Sequence, residues 1–365
     1  MTDQASLRYS RLAVIIWALI IVVLTLLMGV SAVRTLQSNK TYDLSEDYMR
    51  MSPVLAEPGL TPGVVMLPAG AKPARVLAGI YVDRIEDLNL RDGRWMAYFY
   101  LWFEWKGRKV NPAANFQIVN GEVQSKEKLA DITQGDNHYQ RYRLKVSLSK
   151  FFDTLRFPCE EHLLNIDVED DELLRHQLIF VPDNQNSNVS SRIRIPGYRI
   201  DNFQAIEKPH TYRSVLGDPR LGRNDTPTHS QLRLGIRISR PDLKFYFKLF
   251  VALFGSVFIS FLCFFAPPRI DTRFAVQVAA FFTVVANLIY IANLVPGTGD
   301  FTMADMVSGV GMVFVLLAMV ASAISGKLYE AGRETLSRHF DRVSFVTLVL
   351  SYAAINIAML KAALI

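Results

Sequence analysis

The side chains with the widest chemical repertoire are few and scattered. Six histidines, His138, His162, His176, His210, His229 and His339, follow no metal-ligand or catalytic spacing. The two cysteines are Cys159, in polar sequence, and Cys263, inside a long apolar run, so the geometry forbids a bridge between them. The chain contains no Gly-x-Ser-x-Gly elbow, no phosphate-binding glycine loop, no His-Glu-x-x-His pair and no paired-cysteine motif. It therefore reads as a non-enzyme, with no catalytic residue, no metal site and no cofactor. The acidic run Glu169, Asp170, Asp171 and Glu172 could attract a cation, but four adjacent charges ending an alternating stretch read as a solvated strand-end turn.

The elements that carry these residues fall into two kinds. Half of the 365 residues are hydrophobic, and they are unevenly spread. Five apolar stretches, at 12–30, 245–266, 274–294, 303–324 and 343–364, approach or exceed the roughly 20 helical residues that cross a bilayer. The net charge of +6 does not point to nucleic acid, because Lys and Arg collect beside these stretches: Arg8 and Arg11, Arg269 and Arg273, and Lys327, Arg333, Arg338 and Arg342. The connection 295–302 has neither Lys nor Arg. The positive-inside rule then places the N-terminus and the 2–3 and 4–5 connections in the cytoplasm. The long segment after the first span lies outside, in a multi-pass protein of the inner (plasma) membrane. The flanks of the first span suit a cleavable signal, whereas its 19-residue length suits an uncleaved anchor with a cytoplasmic N-terminus.

Residues 34–75 carry Pro53, Pro58, Pro62, Pro68 and Pro73 among several glycines and read as a tether. Period-two alternation follows. Tyr142, Leu144, Val146 and Leu148 share one face, as do Leu164, Ile166 and Val168, and Leu232, Leu234, Ile236 and Ile238. The aromatic run 95–105 suggests a strand covered on both faces. The expected fold class is a β-sandwich outside the membrane plus a four-helix transmembrane bundle, with an additional N-terminal hydrophobic helix. Its boundaries are 1–33 for the anchor or signal, 34–75 for the tether, 76–243 for the β-sandwich and 244–365 for the bundle.

The stretch 152–170 sharpens this reading. Phe157, Pro158, Glu160, Leu164, Ile166, Val168 and Glu169 match the signature loop of pentameric ligand-gated ion channels, the Cys-loop receptor superfamily, in its bacterial form lacking the disulfide. Cys159 replaces an aromatic residue and His162 a glutamine of that pattern. Segments 79–85, 98–105, 111–116, 195–200, 237–240, 265–273 and 293–305 resemble further parts of the family in the same order, although Val110 stands where a tryptophan is usual and helix 245–265 lacks the usual proline.

The resemblance implies a homopentamer in a lipid bilayer, conducting ions when a small-molecule or proton agonist binds. It implies a pore lined by Asp271, Ala275, Ala279, Phe282, Ala286 and Ile289, with Phe282 as a hydrophobic gate and Asp271 as a cation-selecting ring. A rotated helix would present Gln277, Thr283 and Asn287 instead. Coupling residues would be Phe157, Pro158, Glu160, Arg240 and Pro296, and ligand-binding residues Trp105, Tyr198 and Tyr212. The alternative is a non-conducting, membrane-anchored receptor or binding protein of the same fold.

Overall fold

The computed structural model describes residues 2–58, 67–222, 225–240, 243–268, 270–295 and 301–364. The chain divides into a helical unit, Met1–Thr41 with Asp153–Glu160 and Asp242–Ile365, and a β unit, Tyr42–Phe152 with Glu161–Pro241. It opens with one helix, α1 (Thr2–Arg50), which continues well into the stretch expected as a tether. The physical reason is that proline first appears at Pro53, while residues 34–50 gain helical support from Glu46 pairing with Tyr42 and Arg50, each four residues away.

The β unit contains β1 (Ala74–Asn89), β2 (Arg94–Lys106), the short helix α2 (Pro112–Asn115), β3 (Phe116–Ile118), β4 (Gly121–Gln134) and β5 (Asn137–Ser149). It continues with β6 (Glu161–Asp170), β7 (Leu178–Pro182), β8 (Asn188–Val189), β9 (Arg199–Thr211) and β10 (Thr228–Ser239). One sheet has the order β4-β5-β2-β1-β7, with β8 pairing β1; the other has the order β3-β6-β10-β9. Both sheets contribute to one sandwich-like core. Strand β2 differs from expectation. Trp95, Ala97, Phe99, Leu101, Phe103 and Trp105 are buried, but Met96, Tyr98, Tyr100 and Trp102 are half-buried on the opposite face. The aromatic run is therefore a one-sided strand whose second face carries a cavity, described below.

The polar faces of β6 and β10 also differ from a plain wet surface. Asp167, Glu169 and Arg233 are buried with the apolar residues between them. The acidic run is a solvated strand-end bend only in its second half: Asp171 and Glu172 are exposed, whereas Glu169 is 0% and Asp170 1% exposed, and an Asp170 carboxylate oxygen accepts from the backbone N–H groups of Glu172 and Leu173.

The helical unit adds α3 (Lys244–Leu262), α4 (Ile270–Ala292), α5 (Met303–Glu330) and α6 (Glu334–Leu364). Among the described residues five helices, α1 included, are long and apolar enough to cross a membrane. Pro267 and Pro268 stop α3 before α4 begins. Thr302 and Asp305 form a reciprocal capping box that starts α5, and Gly332, at φ +74°, turns the chain into α6. Helix α1 runs parallel to α6: Trp17 Nε1 donates to Ser344 Oγ, Gly29 lies against Ile355, and Lys40 Nζ donates to the Leu364 carbonyl.

Candidate functional site

Helix α4 has two chemically distinct faces. Arg273, Gln277, Ala280, Val284, Asn287 and Ile291 are buried, a spacing of three and four residues that makes one helical stripe. Gln277 donates to Ser322 Oγ at 2.9 Å, and Asn287 donates to the Leu249 carbonyl at 2.9 Å. Asp271, Ala275, Ala279, Phe282, Ala286 and Ile289 are all exposed on the other face, Phe282 to 64% and Ile289 to 60%. The structure therefore brings all six residues singled out from the sequence to one uncovered face. Two of the three residues of the rotated alternative, Gln277 and Asn287, are turned into the bundle, and Thr283 bonds the Ala279 carbonyl.

The connection between β5 and β6 folds with the helices. Phe157 and Pro158 are buried, and the Phe157 ring meets Phe245 edge-on at 6.0 Å. The Leu155 carbonyl accepts from the Met303 N–H, at the first residue of α5, at 2.6 Å. Asn39 of α1 grips the same loop from another side, donating to Asp153 at 2.8 Å and accepting from Arg156 at 3.2 Å. Glu160 is 1% exposed within this unit. In the β unit the Arg240 guanidinium lies 4.4 Å over the Tyr198 ring and donates to its hydroxyl. Pro296 lies outside the described residues. Sequence reasoning missed Asn39, whose position on α1 was assigned to the tether.

Trp105, Tyr198 and Tyr212 occupy separate surroundings. Trp105 is buried and stacks on His138 at 5.2 Å; Tyr198 takes Arg240; Tyr212 donates to Glu169 at 3.0 Å. A different set converges. Tyr81, Tyr100, Trp102, Glu104, Tyr139, Arg141, Asp183 and Asn186 line an open cavity of about 560 Å³ on the outward face of β1, β2 and β5. Trp102 Nε1 donates to Asp183 at 3.1 Å, and Asn186 also bonds that carboxylate. Gly79 allows this placement, because a Cβ there would stand 2.1 Å from the Trp102 ring. Four aromatic rings and two carboxylates against one guanidinium suit an organic cation. The outward members of the aromatic run were the sequence signal for this cavity.

A second polar cluster crosses the four-stranded sheet. Glu169 accepts from Gln231 at 2.7 Å and from Tyr212, and it pairs with His210 at 2.5 Å. Gln231 accepts from Arg233, which also pairs with Asp167 at 2.7 Å and with Glu57 at 2.5 Å. Lys208, 1% exposed, donates to the carbonyls of Met49 and Ser52, and Arg233 donates to that of Arg50. Two cations thus cap the C-terminal end of α1, where the helix dipole favours positive charge. Burial alone would lower the His210 pKa, but the hydrogen bond and charge of Glu169 outweigh it and raise the pKa.

Together these features define a membrane-protein architecture with a β-rich, two-sheet unit and a unit of long apolar helices. No protein-family model matches the chain, and no curated protein sequence matches it significantly.

Proposed function

We propose that the chain is one subunit of a homopentameric ligand-gated ion channel in the inner (plasma) membrane. In this reading the α1 N-terminus, the α3–α4 connection and the α5–α6 hairpin are cytoplasmic, and the β unit is periplasmic or extracellular. The observation that carries the reading is the uncovered face of α4. Among the described residues Asp271, Ala275, Ala279, Phe282, Ala286 and Ile289 find no cover, while the polar Gln277 and Asn287 are buried and donate their amide N–H groups inside the bundle. Around a fivefold axis, the Phe282 rings would form a constriction that closes by dewetting, and Asp271 a ring of negative charge favouring cations. The helix-bound loop at Phe157 and Pro158 supports the same reading, because a rearrangement there reaches the start of α5 through Leu155 and Met303.

The cavity beside Trp102 favours an organic cation as the agonist, and the His210–Glu169 pair is the place where a proton would act. The nearly all-apolar α4 face favours a second reading, a non-conducting receptor of the same fold.

Native mass spectrometry of the full-length protein in nanodiscs, followed by cation flux into proteoliposomes, separates the readings. The channel reading expects a pentamer and a Phe282→Ala variant with raised resting flux, since the smaller side chain widens and wets the constriction. A pentamer with no flux in either form supports the receptor, and a monomer or dimer that persists in lipid removes the channel.

A further inference from the structure

We infer that the groove between α1 and α6 is a binding site for one anionic glycerophospholipid. The inference rests on these helices crossing a bilayer and not on ion conduction. Val14, Ala18 and Val22 on α1 and His339, Val343 and Thr347 on α6 line a cavity of about 350 Å³ that is apolar over most of its wall. Both sets repeat every four residues, so each is a single ridge of its helix.

The shape selects the occupant. From His339 to Thr347 the groove runs along eight residues of α6, about 12 Å. Along that length the groove is open and mostly apolar, which suits one hydrocarbon chain lying in it. The surroundings agree, since α1 is apolar on every side and only 11% of its most apolar window is buried.

Charge selects the headgroup. His339 closes one end of the groove, and Arg342 is exposed one turn along the same helix. Arg338 is paired with Glu334, and Asp341 is turned inward to Arg273, so neither carboxylate neutralises this corner. Among the described residues Arg342 has no ion-pair partner. Trp17 marks the same depth, donating to Ser344 and lying 6.0 Å from the Phe340 ring, as an indole at the level of the headgroups does. A phosphate at His339 and Arg342 would hang its acyl chain down the ridge of Val343 and Thr347.

The test uses the full-length protein in nanodiscs of equal parts phosphatidylcholine and phosphatidylglycerol, with lipids retained on ejection counted by native mass spectrometry. Wild type should retain one phospholipid per chain, with phosphatidylglycerol favoured roughly fivefold for the one guanidinium. Ala18→Phe, which fills the slot, should lose that lipid. Arg342→Gln, an exposed change that leaves packing intact, should keep a lipid and lose the preference. Equal retention of the two lipids by wild type would overturn the assignment, as would undiminished retention by Ala18→Phe of native helical content. Disulfide formation between two chains of Ala18→Cys in lipid would likewise overturn it, since the groove would then face another protein. If Ala18→Phe does not fold, Thr347→Phe blocks the same slot from α6.

Discussion

Arg273 of α4 and Asp341 of α6 form a two-pronged ion pair, Nη1 to Oδ1 at 3.0 Å and Nη2 to Oδ2 at 2.8 Å, with side chains 1% and 7% exposed. The second guanidinium nitrogen also donates to the Ala266 carbonyl at 2.6 Å, where α3 has just ended. A basic residue in the first turn of α4 thus points into the bundle and ties three helices at one end, leaving Asp271 as the charge on the open face among the described residues. Removing one partner of such a pair strands the other charge and costs about 3–5 kcal/mol. Asp341→Ala should therefore lower the melting temperature of the purified protein sharply. The double variant Arg273→Met/Asp341→Leu should recover most of the loss, because the stranded charge is gone. Equal melting of Asp341→Ala and wild type would show that the pair bears no such load.

Asn39 gives a separate handle on the loop at 153–160. Its side chain makes two hydrogen bonds to that loop, and Arg156 at one of them is 2% exposed. Asn39→Ala removes both bonds, with an expected cost of about 1–3 kcal/mol borne mostly by the loop. Cys159 reports on it, being partly buried in the loop, while Cys263 is buried in the helical unit. Maleimide labelling of Cys159 should be several-fold faster in Asn39→Ala than in wild type. An unchanged rate would mean that the loop is held without Asn39, by contacts such as Leu155–Met303 and Phe157–Phe245.

The apolar stretches and the alternating strands were legible because period and length are local properties. That the six α4 residues share a face was legible for the same reason, since residues spaced three and four apart lie together whatever is opposite; that this face rather than the one with Gln277 and Asn287 stays open was implied only by the family resemblance. The reach of α1 was obscured by Pro53 and the prolines after it, which drew the tether boundary too early; the helix stops only at Arg50. Burial of Glu169 and Asp170 was not legible at all. It depends on His210 and Gln231 reaching Glu169, and His229 the Asp170 carbonyl, from β9 and β10, a long-range pairing that no window around residue 169 contains. The cavity at Trp102 was legible only in part: the aromatic run supplied Tyr100 and Trp102, but the register that sets Tyr81, Tyr139 and Arg141 beside them is long-range.

The buried pair of His210 and Glu169 makes stability depend on pH with a defined sign. The His210 pKa is raised above its ordinary value near 6.5, so the folded state holds this proton more tightly than the unfolded chain. Its contribution is fully present below about pH 6.5 and is lost as pH rises through the folded value. Tyr212, Gln231, Arg233 and Asp167 complete the surroundings of the pair. Lys150 acts in the opposite sense, since burial pushes it down to about 8 and its penalty fades as pH climbs beyond that value. Denaturant unfolding followed by tryptophan fluorescence should show wild type losing stability above pH 6.5 relative to His210→Gln. Parallel curves for the two proteins would remove His210 from the account.

The cavity beside Trp102 can be tested without knowing the natural ligand, using tetramethylammonium as the probe. A quaternary ammonium cannot donate a hydrogen bond, so it relies on ring faces and nearby carboxylates, which Tyr81, Tyr100, Trp102, Tyr139, Glu104 and Asp183 provide. Trp102 should change its fluorescence as the cation approaches. Trp102→Phe keeps a ring but loses both the indole quadrupole and the bond to Asp183, so affinity should fall by about 1 kcal/mol or more. Asp183→Asn keeps the shape and removes one charge, and its effect should shrink as salt is raised, because attraction at an open cavity is screened. Glycerol of equal osmolarity should give no fluorescence change in any variant. A wild-type response to glycerol matching that to tetramethylammonium would make the cavity a solvent-filled depression and exclude a cation site there.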